Sequence, residues 1–410
     1  MVISRSLRSP GLLWSCVLAL VAVPLRAVDE EKLEELFAEA NAKVDAGEPR
    51  AALEIYNQIL EAKPEADNAW VTRAIVKWRL KDTSGAFADL AQAIKVNPEN
   101  FEAYNRRARF RYDLKDYERS LPDFNRAIEL VEPLRGELKG SSDPADRKDA
   151  EYLAGQLAEL CRLRGEAQAN LGNREAALQD VNRAIELRPD FAAAIFLRGQ
   201  MQEDAKEFGP AIADYSRVIK LTPKNAEAWR NRGWLRFMQH DWDAAIADSR
   251  KALDIAPHDA LTLRTLGFAQ FAQANYPAAA ETLAKAADAD AGAAAAYALF
   301  VRHYALLRTG GADRRLAAAG ETWEAGSWVQ AIAKFITGKI SEEELEKVAQ
   351  ATPDDGELAG RACEMHFYIG LARVQAGDKS TARLRFRSAL GTEQKEFIED
   401  ALASAELARL

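Results

Sequence analysis

One stretch, residues 226–257, constrains the fold most, because imperfect copies of it follow one another along most of the chain. Counted from Ala226, it has an aromatic residue at position 4 and small residues at positions 8, 20 and 27. Proline follows at position 32. Pro64 and Pro98, which close two other copies, lie 34 residues apart. The chain is therefore a tandem repeat.

Each copy predicts two antiparallel helices that cross closely. Gly233 and Ala245 are small where the two backbones approach, Trp229 fills the space above them, and Pro257 ends the second helix. A large side chain at Gly233 is expected to overpack this crossing at a cost of ~1–3 kcal/mol. Since each copy buries its apolar face only against its neighbours, we expect one elongated domain.

This pattern resembles the tetratricopeptide repeat (TPR). The resemblance implies an all-α fold, a right-handed TPR superhelix (α-solenoid) of about eight to nine helical hairpins with a C-terminal capping helix. The predicted segments are a signal peptide (1–27), TPR repeats 1–3 (28–133), an insertion with an extended helix (134–157), TPR repeats 4–7 (158–291), degenerate helical repeats (292–362), and a last TPR-like unit with a capping helix (363–410).

Two places interrupt the period. Pro122 falls inside the second helix of repeat 3, which predicts a kink or a late helix start. The insertion begins with the polar stretch 136–142, and Asp143 with Pro144 then resembles a helix cap followed by a proline in the first turn. A partner-specific loop and a tolerated surface insertion both remain open as interpretations.

The last quarter of the chain is less regular but still helical in pattern. Residues 328–337 predict one helix, and Ser341 with Glu344 predicts a capping box that opens a short helix over 342–350. Residues 397–410 predict a terminal amphipathic helix that covers the last open face of the stack.

The first 27 residues have the pattern of an export signal. Arg5 and Arg8 precede an apolar core over 11–23, and Ala27 closes a cleavage site. Such a core is too short to span a bilayer comfortably. Cys16 offers an alternative, since it follows a loose lipobox and could be lipidated. We expect an exported protein, periplasmic or attached to the envelope side of a membrane through an N-terminal lipid.

Charge and motifs exclude several function classes. With 55 Lys and Arg against 63 Asp and Glu, the net charge is −8, and basic residues are interleaved with acidic ones, so we expect no nucleic acid partner. We find no nucleotide-binding, metalloprotease or serine-hydrolase motif, and we expect no enzyme activity, cofactor or metal. Cys363 and His366 share a helix face, but His366 occupies a packing position. Cys161 is interpreted as a small buried hydrophobe.

The functional hypothesis concerns the inner face of the first helices, which in TPR proteins lines a concave groove for peptides or helices. Positions 2, 5, 9, 12 and 13 form one helical stripe. Large aromatic and arginine side chains there are typical interface anchors, although packing between repeats would use the same residues. The predicted protein-binding groove consists of Val71, Ile75, Trp78, Asn105, Arg109, Tyr112, Phe196, Arg230, Trp234, Phe237, Arg264, Phe268 and Phe271.

The end of the chain is similar to a narrower group. Trp328, then residues 335–341, 367–370 and 397–399, follow in order the elements of the C-terminal third of the NlpI family, bacterial envelope TPR lipoproteins. The resemblance covers about 85 residues. It implies an exported adaptor that binds peptidoglycan hydrolases, often as a homodimer.

The sequence therefore predicts a non-catalytic scaffold of the bacterial cell envelope that binds peptide or helical segments of other proteins. This hypothesis expects one saturable partner whose binding depends on Arg230 and Trp234. The alternative is a periplasmic carrier or chaperone that holds a lipid, a glycan or an unfolded client in the apolar inner face. The carrier hypothesis predicts a wide apolar groove and broad ligand specificity.

Overall fold

The computed structural model describes residues 30–290, 293–352 and 354–410, and these residues form helices and turns without a strand. The predicted signal peptide 1–27, with Cys16 and Ala27, lies outside the described residues. The chain divides into two compact units, Met1–Met201 and Gln202–Leu410, and each is described by itself.

Unit 1 is a series of antiparallel helix pairs in which each helix packs mainly on its neighbours in sequence. The described helices are α1 (Glu30–Asp45), α2 (Pro49–Ala62), α3 (Asp67–Arg79), α4 (Thr83–Val96), α5 (Phe101–Asp113), α6 (Tyr117–Lys139), α7 (Pro144–Asn170), α8 (Arg174–Leu187) and α9 (Ala192–Asp204), whose last residues fall in unit 2.

Unit 2 begins with the same hairpin pattern and ends in shorter, less regular helices. These are α10 (Phe208–Leu221), α11 (Ala226–Met238), α12 (Trp242–Ile255), α13 (Ala260–Ala272), α14 (Tyr276–Ala289), α15 (Ala293–Arg308), α16 (Arg314–Gly320), α17 (Trp328–Ile336), α18 (Glu342–Gln350), α19 (Asp355–Gln375), α20 (Lys379–Leu390) and α21 (Ile398–Leu407).

The turn inside each hairpin repeats with the sequence period. A residue with left-handed backbone (positive φ) follows the first helix. In most of these turns the residue is not glycine, so its side chain is sterically strained. In three of the described hairpin turns an aspartate at the next position caps the second helix: Asp82, Asp241 and Asp378 accept from the backbone amides of Gly85, Ala244 and Thr381. The residues with positive φ in these turns are Gly47, Lys81, Lys115, Gly172, Lys206, His240, Ala274 and Gly377.

Small residues lie where the sequence requires close helix crossings. A Cβ atom added to Gly233 would come within 3.2 Å of Asp248 Cβ, and one added to Gly370 would come within 2.5 Å of the Phe386 ring. Ala245 is fully buried at the same crossing as Gly233. These distances support the overpacking predicted for Gly233, and they extend the expectation to Gly370, where the added atom would lie closer to its neighbour.

A buried arginine–aspartate clamp, which the sequence analysis did not anticipate, joins the two helices of several repeats. Arg232 donates from Nε and Nη2 to the two carboxylate oxygens of Asp248, both at 2.8 Å, and Asp248 is 2% exposed. Such bidentate pairs are stronger and more directional than single hydrogen bonds. The same geometry joins Arg73 to Asp89, Arg107 to Asp123 and Arg164 to Asp180.

The insertion is helical on both sides. Helix α6 begins at Tyr117, five positions before Pro122, so the expected late helix start is wrong, and α6 also continues through Pro133 to Lys139. Burial of Phe124 and Val131 on the hairpin core offsets the backbone hydrogen bonds that the prolines remove. Residues 134–139 and 144–157 therefore lengthen one hairpin, with a short turn between them.

Helices α17 and α18 lie where the sequence predicts them, and the capping box of Ser341 and Glu344 is present in both directions. Helix α19 begins at Asp355, earlier than the predicted start near Cys363, and α16 was not predicted. Helix α16 packs on its neighbours α15 and α17, and α19 packs mainly on α20.

Candidate functional site

The first-helix face of unit 2 is covered by the end of the chain itself. Helix α21 was predicted as a cap, and it packs on α19 and α20 but also on α13 and α11. Arg409 donates to the carbonyl oxygen of Phe271 at 3.3 Å, and Arg308 pairs with the buried Glu406 at 2.7 Å. Lys206 forms an ion pair with Glu396 just before α21. These contacts fix α21 over the face that the groove hypothesis uses.

Between α21 and the first helices lies a cavity of 590 Å³. Cavities of about 300–1,000 Å³ are the usual size of small-molecule sites. Its wall is mainly apolar, and the apolar lining residues are Trp234, Leu261, Phe268, Tyr297, Phe397 and Ile398. Its polar lining residues are Glu203, Arg230, Asn231, Arg264, Thr265, Glu364 and Glu399.

Two buried glutamates form one polar wall of this cavity. Glu364 on α19 accepts from Tyr297 Oη at 3.0 and 3.1 Å and from Trp328 Nε1 at 2.8 Å. Glu399, in the first turn of α21, accepts from Tyr368 Oη at 2.9 Å and is 2% exposed. Both carboxyls are thus held in fixed positions by neutral donors.

Burial disfavours the charged form of these carboxyls. It raises the pKa of Glu364 to about 7, although Trp328 and Tyr297 act in the opposite direction. Burial, together with the nearby Glu364 carboxyl, raises the pKa of Glu399 to about 8. At neutral pH and below, Glu399 is therefore a neutral acid that can donate a hydrogen bond.

Two arginines, Arg230 on α11 and Arg264 on α13, line the cavity from equivalent positions of successive repeats. Arg230 reaches Asp259 at 3.5 Å and Arg264 reaches Asp290 at 3.6 Å. These distances exceed the 2.7–2.9 Å typical of charge-assisted hydrogen bonds. Arg230 also donates from Nε to Asn231 Oδ1 at 3.2 Å and lies 3.8 Å from Glu227. Since a guanidinium group carries five N–H donors, both arginines keep donors for a further partner.

A family model of known proteins matches two stretches of the chain. A model of the tetratricopeptide repeat matches residues 37–91, 71–133, 162–223 and 207–260. The chain contains TPR repeats. Together with the helix order described above, this match confirms the prediction of an all-α TPR solenoid.

Several solved structures match about half to two thirds of this chain. One is YrrB, described as a TPR protein with an unusual peptide-binding site, at 19% identity and TM-score 0.40 over 51% of this chain and 95% of that one. Another is a TPR protein from Parabacteroides merdae, at 18% identity and TM-score 0.43 over 66% and 99%. A third is PilW, a type IV pilus biogenesis factor, at 18% identity and TM-score 0.44 over 58% and 97%.

The predicted groove residues of TPR repeats 6 and 7 divide into two groups. Arg230, Trp234, Arg264 and Phe268 line the cavity. Phe237 and Phe271 are fully buried between helices instead, and their rings contact Trp242 and Tyr276 with centroids 5.3 Å apart in both pairs. The groove hypothesis placed these two rings on an open surface; the structure places them in the core, because α12 and α14 cover them.

In unit 1 the predicted stripe is partly open. Ile75 and Trp78 on α3 and Arg109 and Tyr112 on α5 are half-buried, and the Trp78 ring stacks on Phe110 with centroids 4.1 Å apart. Arg109 pairs with Glu159 at 3.1 Å. By contrast, the structure buries Val71 and Asn105, which are 3% and 1% exposed, so these two side chains pack inside the repeats. Phe196 on α9 is half-buried.

The structure adds Tyr297, Glu364 and Glu399 to the site, which the groove hypothesis did not name. These residues follow Arg230 by more than sixty positions in the sequence, and repeat position alone does not connect them. The sequence did contain one indication of these residues. Glu364 and Glu399 are acidic residues at helix positions where the spacing of apolar residues predicts a buried side chain.

Of the cysteine and histidine pair, Cys363 lies in the core, whereas His366 is half-buried. Cys363 is fully buried, and burial raises the pKa of its thiol to about 12. His366 Nδ1 lies 3.2 Å from a guanidinium nitrogen of Arg385. Cys161 is also buried, with its pKa raised to about 12 by burial. Over the described ranges, no group of three His, Cys, Asp or Glu side chains is arranged to hold a metal, and no described helix is long and apolar enough to cross a bilayer.

Proposed function

We propose that this protein is a non-catalytic adaptor that binds a helical or extended segment of a partner protein on the first-helix face of unit 1. The observation that carries the proposal is the half-open stripe of Ile75, Trp78, Arg109 and Tyr112 on adjacent first helices. Aromatic and arginine side chains at such positions are typical interface anchors.

The chain's own C-terminus supports this choice of partner. In unit 2 the corresponding first helices, α11 and α13, contact the helix α21, and this contact supports a helical segment as the partner of the same face in unit 1. Because α21 already covers that face, the proposal places partner binding in unit 1. This differs from the expectation that Arg230 and Trp234 anchor the partner.

The location and the partner class rest on the sequence. The export pattern of residues 1–27, whether cleaved after Ala27 or lipidated at Cys16, supports an envelope location. The resemblance of residues 328–407 to the NlpI family supports peptidoglycan hydrolases as partners and a homodimeric state.

The test is affinity capture from an envelope extract with the mature protein and matched double variants. Arg109→Ala with Tyr112→Ala removes the stripe. Arg119→Ala with Tyr152→Ala removes the same residue types at exposed positions outside it. All proteins must first give equal helical circular dichroism.

We expect the parent and the second variant to capture the same few proteins and the stripe variant to lose them. Equal capture by the parent and the stripe variant would refute the proposal. Loss confined to the Tyr152 variant would move the binding site to the lengthened α6–α7 hairpin, where the insertion then acts as a partner-specific element.

The carrier alternative is favoured by one observation, the cavity of unit 2. The cavity is apolar and small, which suits a single amphipathic molecule better than an unfolded client or a polar glycan.

A further inference from the structure

The cavity of unit 2 combines an apolar wall with two guanidinium groups on neighbouring helices. We propose that it binds an amphipathic carboxylate, such as a medium- or long-chain fatty acid, with its chain against Trp234 and Phe268 and its carboxylate on Arg230 and Arg264. This inference deepens the carrier alternative, and it is independent of the adaptor function proposed for unit 1.

The arginines indicate an anion. Arg232, in the same repeat as Arg230, donates to Asp248 at 2.8 Å, whereas Arg230 and Arg264 reach their aspartates only at 3.5 and 3.6 Å. The other described partners of Arg230 are Asn231, at 3.2 Å, and Glu227, at 3.8 Å. An arriving carboxylate could accept short hydrogen bonds from both guanidinium groups. Their equivalent repeat positions bring both to the same wall of the cavity.

The rest of the wall indicates that the ligand is mostly apolar. Trp234, Phe268, Phe397 and Ile398 contribute carbon surface from three elements, α11, α13 and the start of α21. Burying a chain of methylene groups there would contribute about 0.8 kcal/mol per group in favourable transfer free energy. A small polar anion would leave this surface without a partner.

The two buried glutamates determine whether the cavity prefers an anionic or a cationic ligand. Glu364 and Glu399 are buried and face the cavity, and burial raises the pKa of both carboxyls. In their neutral form they add no negative charge to the wall, and they can donate a hydrogen bond. A cationic ligand would instead require these carboxyls to ionise while buried.

The expected pH dependence depends on every ionisable group near these carboxyls. Glu364 has Tyr297 on α15, Arg361 on its own helix and Glu399 on α21 around it. Glu399 has Tyr368 on α19. The Cys363 thiol on α19 also lies near both carboxyls. The remaining charged groups of the lining and their partners are Glu203, Arg230, Arg264, Glu227, Asp259 and Asp290. Burial also raises the pKa of Glu203. As pH rises the buried glutamates gain charge, so a bound anion becomes less stable.

The experiment measures binding of dodecanoate, dodecanol and dodecylammonium to the mature full-length protein by calorimetry, below the concentrations at which they form micelles. We expect dodecanoate to bind most tightly and to weaken as pH rises from about 6 to about 9. Arg230→Gln and Arg264→Gln should each weaken dodecanoate about tenfold or more and change dodecanol little. Arg250→Gln, a charge-matched change at an exposed position on α12, should leave both unchanged.

A second variant guards against loss of fold. Leu261 lines the cavity but is 49% exposed, so Leu261→Trp is tolerated structurally while it fills the space. It should weaken dodecanoate and dodecanol alike. Tighter binding of dodecylammonium, equal binding of dodecanol and dodecanoate, insensitivity to both arginine variants, or no binding at all would each overturn the proposal. None of these results bears on partner capture by unit 1.

Discussion

Buried acidic side chains have two different roles in this protein, and their partners decide which. Asp248 faces Arg232 and Arg236, both within 2.8 Å, and its charge is fully compensated. Glu399 faces a tyrosine hydroxyl and a second glutamate, which leaves its charged form uncompensated. The first arrangement stabilises the hairpin at neutral pH, and the second leaves a carboxyl that ionises only with difficulty.

We predict that Asp248→Ala destabilises the protein by about 3–5 kcal/mol, because it leaves two arginines at a buried site without their carboxylate. Denaturant unfolding followed by circular dichroism measures the change. Asp254→Ala is the matched control, since that side chain is 70% exposed, and its effect should stay within about 0.5 kcal/mol. A small, equal effect of both substitutions would show that the clamp contributes little.

We predict that Glu399→Gln stabilises the protein increasingly as pH rises. The pKa of Glu399 in the folded state, about 8, lies above its ordinary value of 4.5, so between these values the folded state holds a proton that the unfolded state has lost. Its contribution to stability is therefore complete at low pH and is lost as pH rises through about 8, by at most about 1.4 kcal/mol per pH unit.

Thermal unfolding at about pH 5 and pH 8.5 checks this sign. The parent should lose stability relative to Glu399→Gln at the higher pH, since glutamine has no proton to lose. Glu393→Gln, an exposed change close by in sequence, should show no such trend. A difference between parent and Glu399→Gln that does not vary with pH would mean that the carboxyl is already ionised at pH 5.

For individual residues, the sequence predicted the position in the repeat but not which other side chains surround that position. It placed Arg230, Trp234, Arg264 and Phe268 on one stripe, and they do share a wall. The burial of the neighbouring Phe237 could not be predicted, because the helix that covers Phe237 leaves no mark on the residue pattern around it. Whether the stripe residues bind a partner stays a prediction.

At the scale of helices and turns, the hairpin is the unit that recurs, and its turn is as periodic as its helices. Lys81, Lys115, Lys206, His240 and Ala274 all adopt left-handed backbone at the same repeat position, with φ between 60° and 66°. An L side chain is strained there, whereas glycine is not. The backbone of these five turns is therefore slightly strained, whereas the corresponding turns with Gly47 and Gly172 are not.

We predict that Ala274→Gly stabilises unit 2 by about 0.5–1 kcal/mol, because it relieves this strain at an exposed position. Chemical denaturation measures it. Ala278→Gly, four residues later inside α14, makes the same chemical change in helical backbone and should destabilise by about 1 kcal/mol. Destabilisation by both substitutions to a similar extent would show that backbone entropy, and not the left-handed turn, controls the effect.

Helices were predictable from the sequence where period and caps agree, as for α17 and α18. Helix bounds were not predictable where burial against other helices opposes the helix-breaking tendency of a proline. Pro122 and Pro133 argue for helix interruption, yet α6 runs through both because its apolar side is buried on α5 and α7. The arginine–aspartate clamps were missed for a related reason, since interleaved charges suggest a solvated face until the hairpin geometry is known.

At the scale of the whole molecule, the two units differ in how far apart in sequence their contacts lie. Each described helix of unit 1 packs mainly on helices close by in the chain, as expected for an open repeat array. In unit 2, α21 returns to α11 and α13, and Arg409 contacts a residue 138 positions earlier. A repeat array closed in this way should unfold more cooperatively than an open one, because loss of its last helix also exposes earlier repeats.

This difference predicts a long-range effect of Leu402→Ala on α21. Leu402 is fully buried, and its truncation should cost about 2–5 kcal/mol. If unit 2 is coupled through α21, amide hydrogen exchange should accelerate in α13, more than 120 residues away in sequence, and should stay unchanged in α3 of unit 1. Leu384→Ala, at a 64% exposed position on α20, is the control and should affect neither helix. Faster exchange confined to α21 and its sequence neighbours would instead show that unit 2 responds as an open array, and that the helix over its first-helix face can leave without loosening the repeats beneath it.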